Sequence, residues 1–125
     1  MSWRAWSLGF LAGAALASWL TLSCAPGRAQ SEEVAGAIHA AAVTYGVSEG
    51  RLRCLAWRES RFWPGAYNAA GYHGLYQFDW PTWRYGARLA GLEGTSPYDP
   101  WSAAQVTALL IARGEGSRWP PLRWC

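Results

Sequence analysis

The residue best placed to do chemistry in this 125-residue chain is Glu59, a carboxylate that shares one predicted helical face with apolar side chains. Burial on such a face disfavours the charged form of a carboxyl group, and the last turn of a helix adds the negative end of the helix dipole. Both effects raise the pKa of Glu59, whereas Arg58 and Arg61 would lower it. The sequence alone does not decide which effect is larger. A carboxyl group that is protonated near neutral pH is the general acid that glycosidic bond cleavage requires. The apolar positions of this face, at i, i+3 and i+4 with Glu59 at i+7, are Leu52, Leu55 and Ala56.

The alternative for Glu59 is a frayed helix end, with the carboxylate turned to solvent and paired to an arginine. A two-carboxylate glycosidase would also need a second acid, and Asp79 is the only candidate nearby. Asp79 and Asp99 each precede a predicted helix, where an aspartate commonly caps the first turn. We therefore expect both to be helix caps and favour a mechanism with one acid.

The spacing of apolar residues and the capping residues predict four helices around this carboxylate. The first is expected to start at Ser31, ahead of two glutamates, and to stop at Gly46. Ser48 is the expected cap of the second helix, and Asp99 followed by Pro100 opens the fourth. The predicted helices span about residues 31–45, 49–60, 81–89 and 100–113.

Turn-forming residues interrupt the helical pattern between residues 61 and 79, which include Pro64 and three glycines. This segment is expected to be irregular or to form a short hairpin, with Tyr67–Asn68 and residues 75–78 as its strands. The tail, residues 115–125, is rich in Gly, Pro and Trp, and we expect it to be extended. The pattern as a whole predicts a compact, mostly helical domain with one small hairpin.

The N-terminal segment, residues 1–29, has the composition of a secretory signal, with an early arginine and then an uncharged apolar stretch. Small residues before Gln30 make that residue the expected mature N-terminus. A lipidation motif ending at Cys24, or an uncleaved membrane anchor, are the alternatives. In each case residues 30–125 form the exported domain, secreted or in the cell envelope, and the membrane is contacted only through this segment.

The composition of residues 30–125 narrows the function classes. They contain nine of the 11 basic residues and all eight acids, a net charge of +1, which argues against a strongly electrostatic nucleic-acid binder. Cys54 and Cys125 are an even pair in an oxidising compartment, which favours a disulfide. His39 and His73 lack the spacing of metal ligands, so no metal or cofactor is expected and both are interpreted as ordinary surface or helix residues. The aromatic residues either line a sugar-binding cleft or fill a small core.

Three motifs together resemble one known group of enzymes: Glu59-Ser60, the segment Gly74-Leu75-Tyr76-Gln77-Phe78, and Ala103-Ala104 on a late helix. In their order and spacing they resemble soluble lytic transglycosylases and goose-type lysozymes of the lysozyme-like superfamily. The chain's end, Trp119-Pro120 followed by Cys125, with Cys54 before the glutamate, is similar to the resuscitation-promoting-factor branch. The resemblance covers about residues 38–125.

This resemblance implies a mainly α fold of the α+β lysozyme type, with a short β-hairpin beside the catalytic cleft and one disulfide, Cys54–Cys125. It implies that Glu59 is the catalytic acid and base, and that the partner is the glycan strand of peptidoglycan, bound by a monomer. Glu59 would cleave the bond between N-acetylmuramic acid (MurNAc) and N-acetylglucosamine (GlcNAc) and leave a 1,6-anhydro sugar. The substrate-binding positions implied or suggested by location are Ser60, Gln77, Tyr76, Asn68 and Tyr98.

Several of these assignments have alternatives. Asn68 is equally well explained as a turn former, and Tyr98 either reaches Glu59 or packs in the cap of the fourth helix. The activity could be that of a muramidase, which adds water instead of forming an anhydro sugar. A non-catalytic wall-binding module of the same fold, or a structural exported domain stabilised by its disulfide, are the alternatives outside enzymes.

Overall fold

The computed structural model describes residues 26–125, which form a mainly helical domain with a two-stranded antiparallel hairpin. This confirms the predicted fold class, including the disulfide between Cys54 and Cys125. The tail contains two short 3-10 helices. In chain order the elements are α1 Pro26–Tyr45, α2 Glu49–Ser60, β1 Tyr67–Asn68, β2 Tyr72–His73, α3 Trp80–Ala90, α4 Pro100–Ala112, and the 3-10 helices Gly116–Arg118 and Pro120–Trp124.

Small side chains bring the central helices together. α1 and α4 form the most extensive helix pair, and α3 packs against α4 while α2 packs against α1. The facing surfaces carry fully buried alanines, such as Ala37 and Ala41 on α1 and Ala103 and Ala104 on α4. Because these side chains are small, the helix axes can approach closely, and even a short chain can form a dense core.

The predicted caps of the later helices are confirmed. Ser48 accepts a hydrogen bond from the Arg51 amide at 3.2 Å, so α2 begins where expected. The Asp79 carboxylate accepts from the amide of Thr82 at 2.8 Å, and that of Asp99 from the amide of Ser102 at 2.9 Å. These local bonds satisfy amides that have no partner in the first turn of a helix.

The predicted start of α1 is wrong. The helix begins at Pro26, a residue suited to the first helical position, and Ser31 lies inside it with its hydroxyl donating to the carbonyl of Arg28. Gln30, the predicted mature N-terminus, is therefore within α1. Cys24 and most of the predicted signal lie outside the described residues, so cleavage, lipidation and anchoring stay predictions. Across residues 26–125, no helix has both the length and the apolar character needed to cross a membrane.

Two further predictions are corrected. The second strand is Tyr72–His73 instead of residues 75–78; Tyr67 pairs with His73, and Phe78 meets His73 only as an isolated bridge. Gly74 and Gln77 both have positive φ, which an extended strand cannot include. The tail is not extended but forms the two 3-10 helices, because Leu122 and Trp119 are buried against the core.

Candidate active site

Glu59 lies in the last turn of α2, on the face whose apolar members are fully buried. The helix ends immediately after Ser60 because Arg61 and Phe62 both adopt the left-handed conformation, with φ of 54° and 62°. Neither residue is glycine, so each such conformation costs about 1 kcal/mol. This sharp ending leaves Glu59 half-buried at the margin of the core, where its carboxyl group can meet a bound molecule.

Burial raises the pKa of Glu59 above its ordinary value. Within residues 26–125 no ion pair reaches its carboxylate, which distinguishes it from Glu49, Glu93 and Glu115. Arg61, which could have lowered the pKa, stacks its guanidinium on the ring of Trp57, 4.3 Å from the ring centroid. Of the two opposing effects on the pKa of Glu59, burial therefore outweighs the nearby arginines. The alternative of an arginine-paired glutamate is not observed.

Ser60 connects the C-terminal end of α2 to the segment that follows the hairpin. Its hydroxyl is buried and donates to the carbonyl of Leu75 at 2.8 Å, with the carbonyl of Ala56 in the same helix at 3.1 Å. Both contacts are internal, so Ser60 links the end of α2, next to Glu59, to the backbone at Leu75. Its predicted role in substrate binding remains a prediction.

The side chain of Gln77 holds together two irregular segments, one at Ala66 and one at Gly74. Its side-chain amide donates to the carbonyl of Gly74 at 2.9 Å and to that of Ala66 at 3.4 Å, while the Gly74 amide donates to the same Ala66 carbonyl. With the amide hydrogens used internally, the side-chain oxygen is the part of Gln77 that could accept a hydrogen bond from a ligand. Gln77 also lines a small hollow of about 40 Å³ with Tyr72, Asp79 and Thr82.

The loop before α4 is held tightly against the hairpin. The backbone of Pro97 approaches Gly74 so closely that a Cβ atom at Gly74 would lie 1.9 Å from the Pro97 carbonyl oxygen. Next to this contact, the Tyr98 hydroxyl shares a hydrogen bond of 2.5 Å with Nδ1 of His73. Tyr98 is therefore paired with His73 and makes no hydrogen bond to Glu59.

Two other predicted binding residues have structural partners. Tyr76 is fully buried, with its hydroxyl donating to the carbonyl of Leu52 at 3.1 Å. Its side chain has no exposed surface, and its predicted role in substrate binding remains a prediction. Asn68 is exposed, and its side-chain oxygen accepts from the amide of Ala70 at 2.8 Å. That bond is an Asx turn, which supports the turn-forming interpretation of Asn68.

His73, interpreted from the sequence as an ordinary surface or helix residue, is instead a buried strand residue. His73 is only 7% exposed and lies in β2, surrounded by the rings of Trp80, Tyr67 and Tyr98 at centroid distances of 4.7, 5.4 and 5.6 Å. The rings of Tyr67 and Trp80 are partly exposed on the outside of this cluster. In the sequence, the only feature that could have indicated these surroundings is the position of His73 directly before Gly74. His39, in contrast, is exposed as expected and pairs with Glu49 at 3.0 Å.

A comparison with protein families identifies the group to which this arrangement belongs. The family described as "Transglycosylase SLT domain" matches residues 36–116, which is more than half of the chain. The chain belongs to this family. Searches of curated proteins and of solved structures find no match.

The part matched by the transglycosylase SLT family runs from within α1 to Gly116, the first residue of the first 3-10 helix. It includes Glu59, the hairpin, Gln77 and the loop that carries Tyr98, and it ends before Cys125. At the level of the family, the activity is cleavage of peptidoglycan of the lytic transglycosylase type, and peptidoglycan is the substrate, consistent with a location outside the cytoplasm. Among residues 26–125 of this transglycosylase domain, no three His, Cys, Asp or Glu side chains converge on a point where a metal could bind.

Proposed function

We propose that this domain cleaves the MurNAc-β-1,4-GlcNAc bond of peptidoglycan by a single-acid mechanism and that Glu59 is the acid. The observation that carries the proposal is the state of this carboxyl group. It is half-buried, has no ion-pair partner among the described residues, and has a pKa raised by burial. A group in this state holds its proton to a higher pH than an ordinary glutamate and can donate it to a leaving oxygen.

In the proposed first step, Glu59 transfers its proton to the oxygen at C4 of GlcNAc while the bond from that oxygen to C1 of MurNAc breaks. In the second step, the Glu59 carboxylate removes the proton of the 6-hydroxyl of the same MurNAc, and this oxygen bonds to C1. The product is a 1,6-anhydro sugar, and Glu59 returns to its protonated form. One carboxyl group is sufficient because it acts first as acid and then as base.

The hydrogen bonds of the other acids favour a mechanism with one carboxyl group over a mechanism with two. Asp79 and Asp99 accept hydrogen bonds from helix amides, and Asp99 also accepts from the hydroxyl of Ser102. These bonds engage both carboxylates as helix caps. A hydrolase would need one of them to activate water instead.

For substrate binding, we propose that the side-chain oxygen of Gln77 accepts a hydrogen bond from a sugar hydroxyl or acetamido group. The exposed rings of Tyr67 and Trp80 offer flat apolar faces on which a sugar ring could stack. Tyr98 contributes through His73, which it holds between these rings. Asn68 and Ser60 act in this proposal through the turn and the helix end that they stabilise.

The test is mass spectrometry of peptidoglycan digested by the purified protein and by its Glu59→Gln variant, with folding of both checked by circular dichroism. We expect 1,6-anhydromuropeptides from the first and almost none from the second, since loss of a general acid slows catalysis by roughly 10²–10⁴-fold. Asp79→Asn is the matched control, because it removes a carboxylate from a helix cap and should leave the anhydro product in place.

Two outcomes would overturn the proposal. Products with reducing ends only, together with loss of activity in Asp79→Asn, would show a two-acid hydrolase. Equal activity in a well-folded Glu59→Gln protein would remove Glu59 from the mechanism altogether.

A further inference from the structure

A second concave surface lies on α2, away from Glu59. This arginine groove has a volume of about 560 Å³, and its two walls are α2 and the second 3-10 helix of the tail. The disulfide joins the two walls, since Cys54 belongs to one and Cys125 follows directly after the other. The charged and aromatic residues that line the groove are Arg58, Arg61, Arg123, Trp57 and Trp124.

The charge of the arginine groove is positive and uncompensated. No acidic residue lines it, and none of Arg58, Arg61 and Arg123 takes part in an ion pair within the described part of the chain. Five other arginines in the same part are each paired with a glutamate: Arg28, Arg53, Arg88, Arg113 and Arg118. Three neighbouring guanidinium groups without a carboxylate partner form a surface that attracts anions.

Aromatic rings hold two of these guanidinium groups in place. Arg61 lies over the ring of Trp57 at 4.3 Å, and Arg123 lies over the ring of Trp124 at 5.0 Å. The two tryptophans are themselves 47% and 65% exposed, which is unusual for so large an apolar side chain. Stacking orders an arginine before it binds, so less rotamer entropy is lost on binding.

The arginine groove lies away from Glu59, the proposed catalytic acid. On a helix with 3.6 residues per turn, Cys54, Trp57 and Arg58 share one face, and Glu59 lies on the opposite face with the buried Leu55. A helix with its side chains is roughly 10 Å across, so a ligand in the groove would not occupy the position of the bond cleaved at Glu59. The groove and the cleft can therefore contact different parts of the same polymer network.

We propose that the arginine groove binds the carboxylates of peptidoglycan stem peptides as a second, non-catalytic site. The proposal rests on the proposed function for its ligand, because a protein that acts on peptidoglycan meets these peptides wherever it works. Their free carboxylates match the planar fork of arginine, and the exposed tryptophans can pack on the aliphatic parts of the peptide. This second contact would hold the domain on the wall while the cleft engages a glycan strand.

The test titrates the exported, disulfide-bonded protein at low ionic strength with a synthetic stem peptide that lacks sugar. The indole N–H signals in the NMR spectrum report on the site, because Trp57 and Trp124 line it. The double variant Arg58→Gln/Arg123→Gln should weaken binding roughly fivefold to tenfold, as expected for the loss of two solvent-exposed charge pairs. The matched control is Arg84→Gln/Arg88→Gln, which removes the same charge from α3 and should change the affinity by less than about twofold.

Three results would overturn the proposal. Equally tight binding of a stem peptide with amidated carboxyl groups would exclude carboxylate recognition. Equal loss of affinity in the α3 control would show general charge attraction without a site. Tighter binding of a phosphate polymer such as a teichoic acid, in competition with the peptide, would assign the groove to phosphate. Because the probe contains no glycosidic bond, all three are independent of whether Glu59 is the catalytic acid.

Discussion

Replacing Cys125 by serine removes the bond that ties the tail to α2, and its effect on stability can be worked out from the position of the two cysteines. They are 71 residues apart in the sequence. The chain-entropy relation for a closed loop of this length gives about 4 kcal/mol at 25 °C. A domain of about 100 residues has a free energy of unfolding of roughly 5–15 kcal/mol, so this loss is a large part of the total. At about 4–8 °C per kcal/mol, the melting temperature should fall by about 15–30 °C.

Activity should fall as well, because Cys54 lies in the same helix as Glu59 and the bond holds that helix against the tail. The assay is thermal unfolding followed by circular dichroism, for the oxidised protein, Cys54→Ser, Cys125→Ser and the double variant. If the bond is the cause, each single variant removes it completely, and the double variant should be little worse than either one. Additive losses, free thiols at both positions in exported protein, or an unchanged melting curve after verified reduction would refute the reasoning.

Two further predictions concern the site itself. Since burial raises the pKa of Glu59, the folded state binds the proton more tightly than the unfolded state, and stability is lost as pH rises from the ordinary value toward the folded one. Glu59→Gln should therefore be more stable than the parent in urea unfolding at neutral pH. The difference in the free energy of unfolding should vanish below pH 4.5, the ordinary pKa of a glutamate. A difference that is independent of pH would contradict this. Gly74→Ala should destabilise the domain by about 2–4 kcal/mol, because the new Cβ meets the Pro97 carbonyl at a φ of +78°. Gly94→Ala, at a φ of +83° with no atom within 4 Å, should lose only about 1 kcal/mol, and equal losses would exclude the contact with Pro97 as the cause.

Features set by neighbours in the chain were predicted from the sequence. Ser48, Asp79 and Asp99 cap their helices through amides three residues further on, so the cap and its partner are visible in one short segment. The apolar face that carries Glu59 was predicted for the same reason, since helical periodicity relates residues only a few positions apart. The predicted start of α1 is wrong because Pro26 falls in the segment interpreted as a signal, although proline is itself a favourable first residue of a helix.

Features that depend on distant contacts could not be predicted in this way. Tyr76 stands in a motif that suggested the cleft, yet its ring is in the core because its hydroxyl reaches Leu52, 24 residues away. His73 and Tyr98 are 25 residues apart, and neither residue type indicates the hydrogen bond between them. Residues 75–78 were taken for a strand from their composition, but the close approach of Gly74 to Pro97 requires a turn.

The end of α2 combines features that destabilise the folded domain with features that restrain it. A half-buried carboxyl group without an ion pair and two consecutive residues with positive φ are each unfavourable, and such features persist only where surrounding contacts hold them. Here two restraints lie on either side of Glu59 along the chain: the disulfide at Cys54 and the bond from Ser60 to Leu75. Both connect α2 to parts of the chain distant in sequence, so they restrain the helix end that carries Glu59. The stability lost at the acid is thus compensated by the contacts that keep its position fixed.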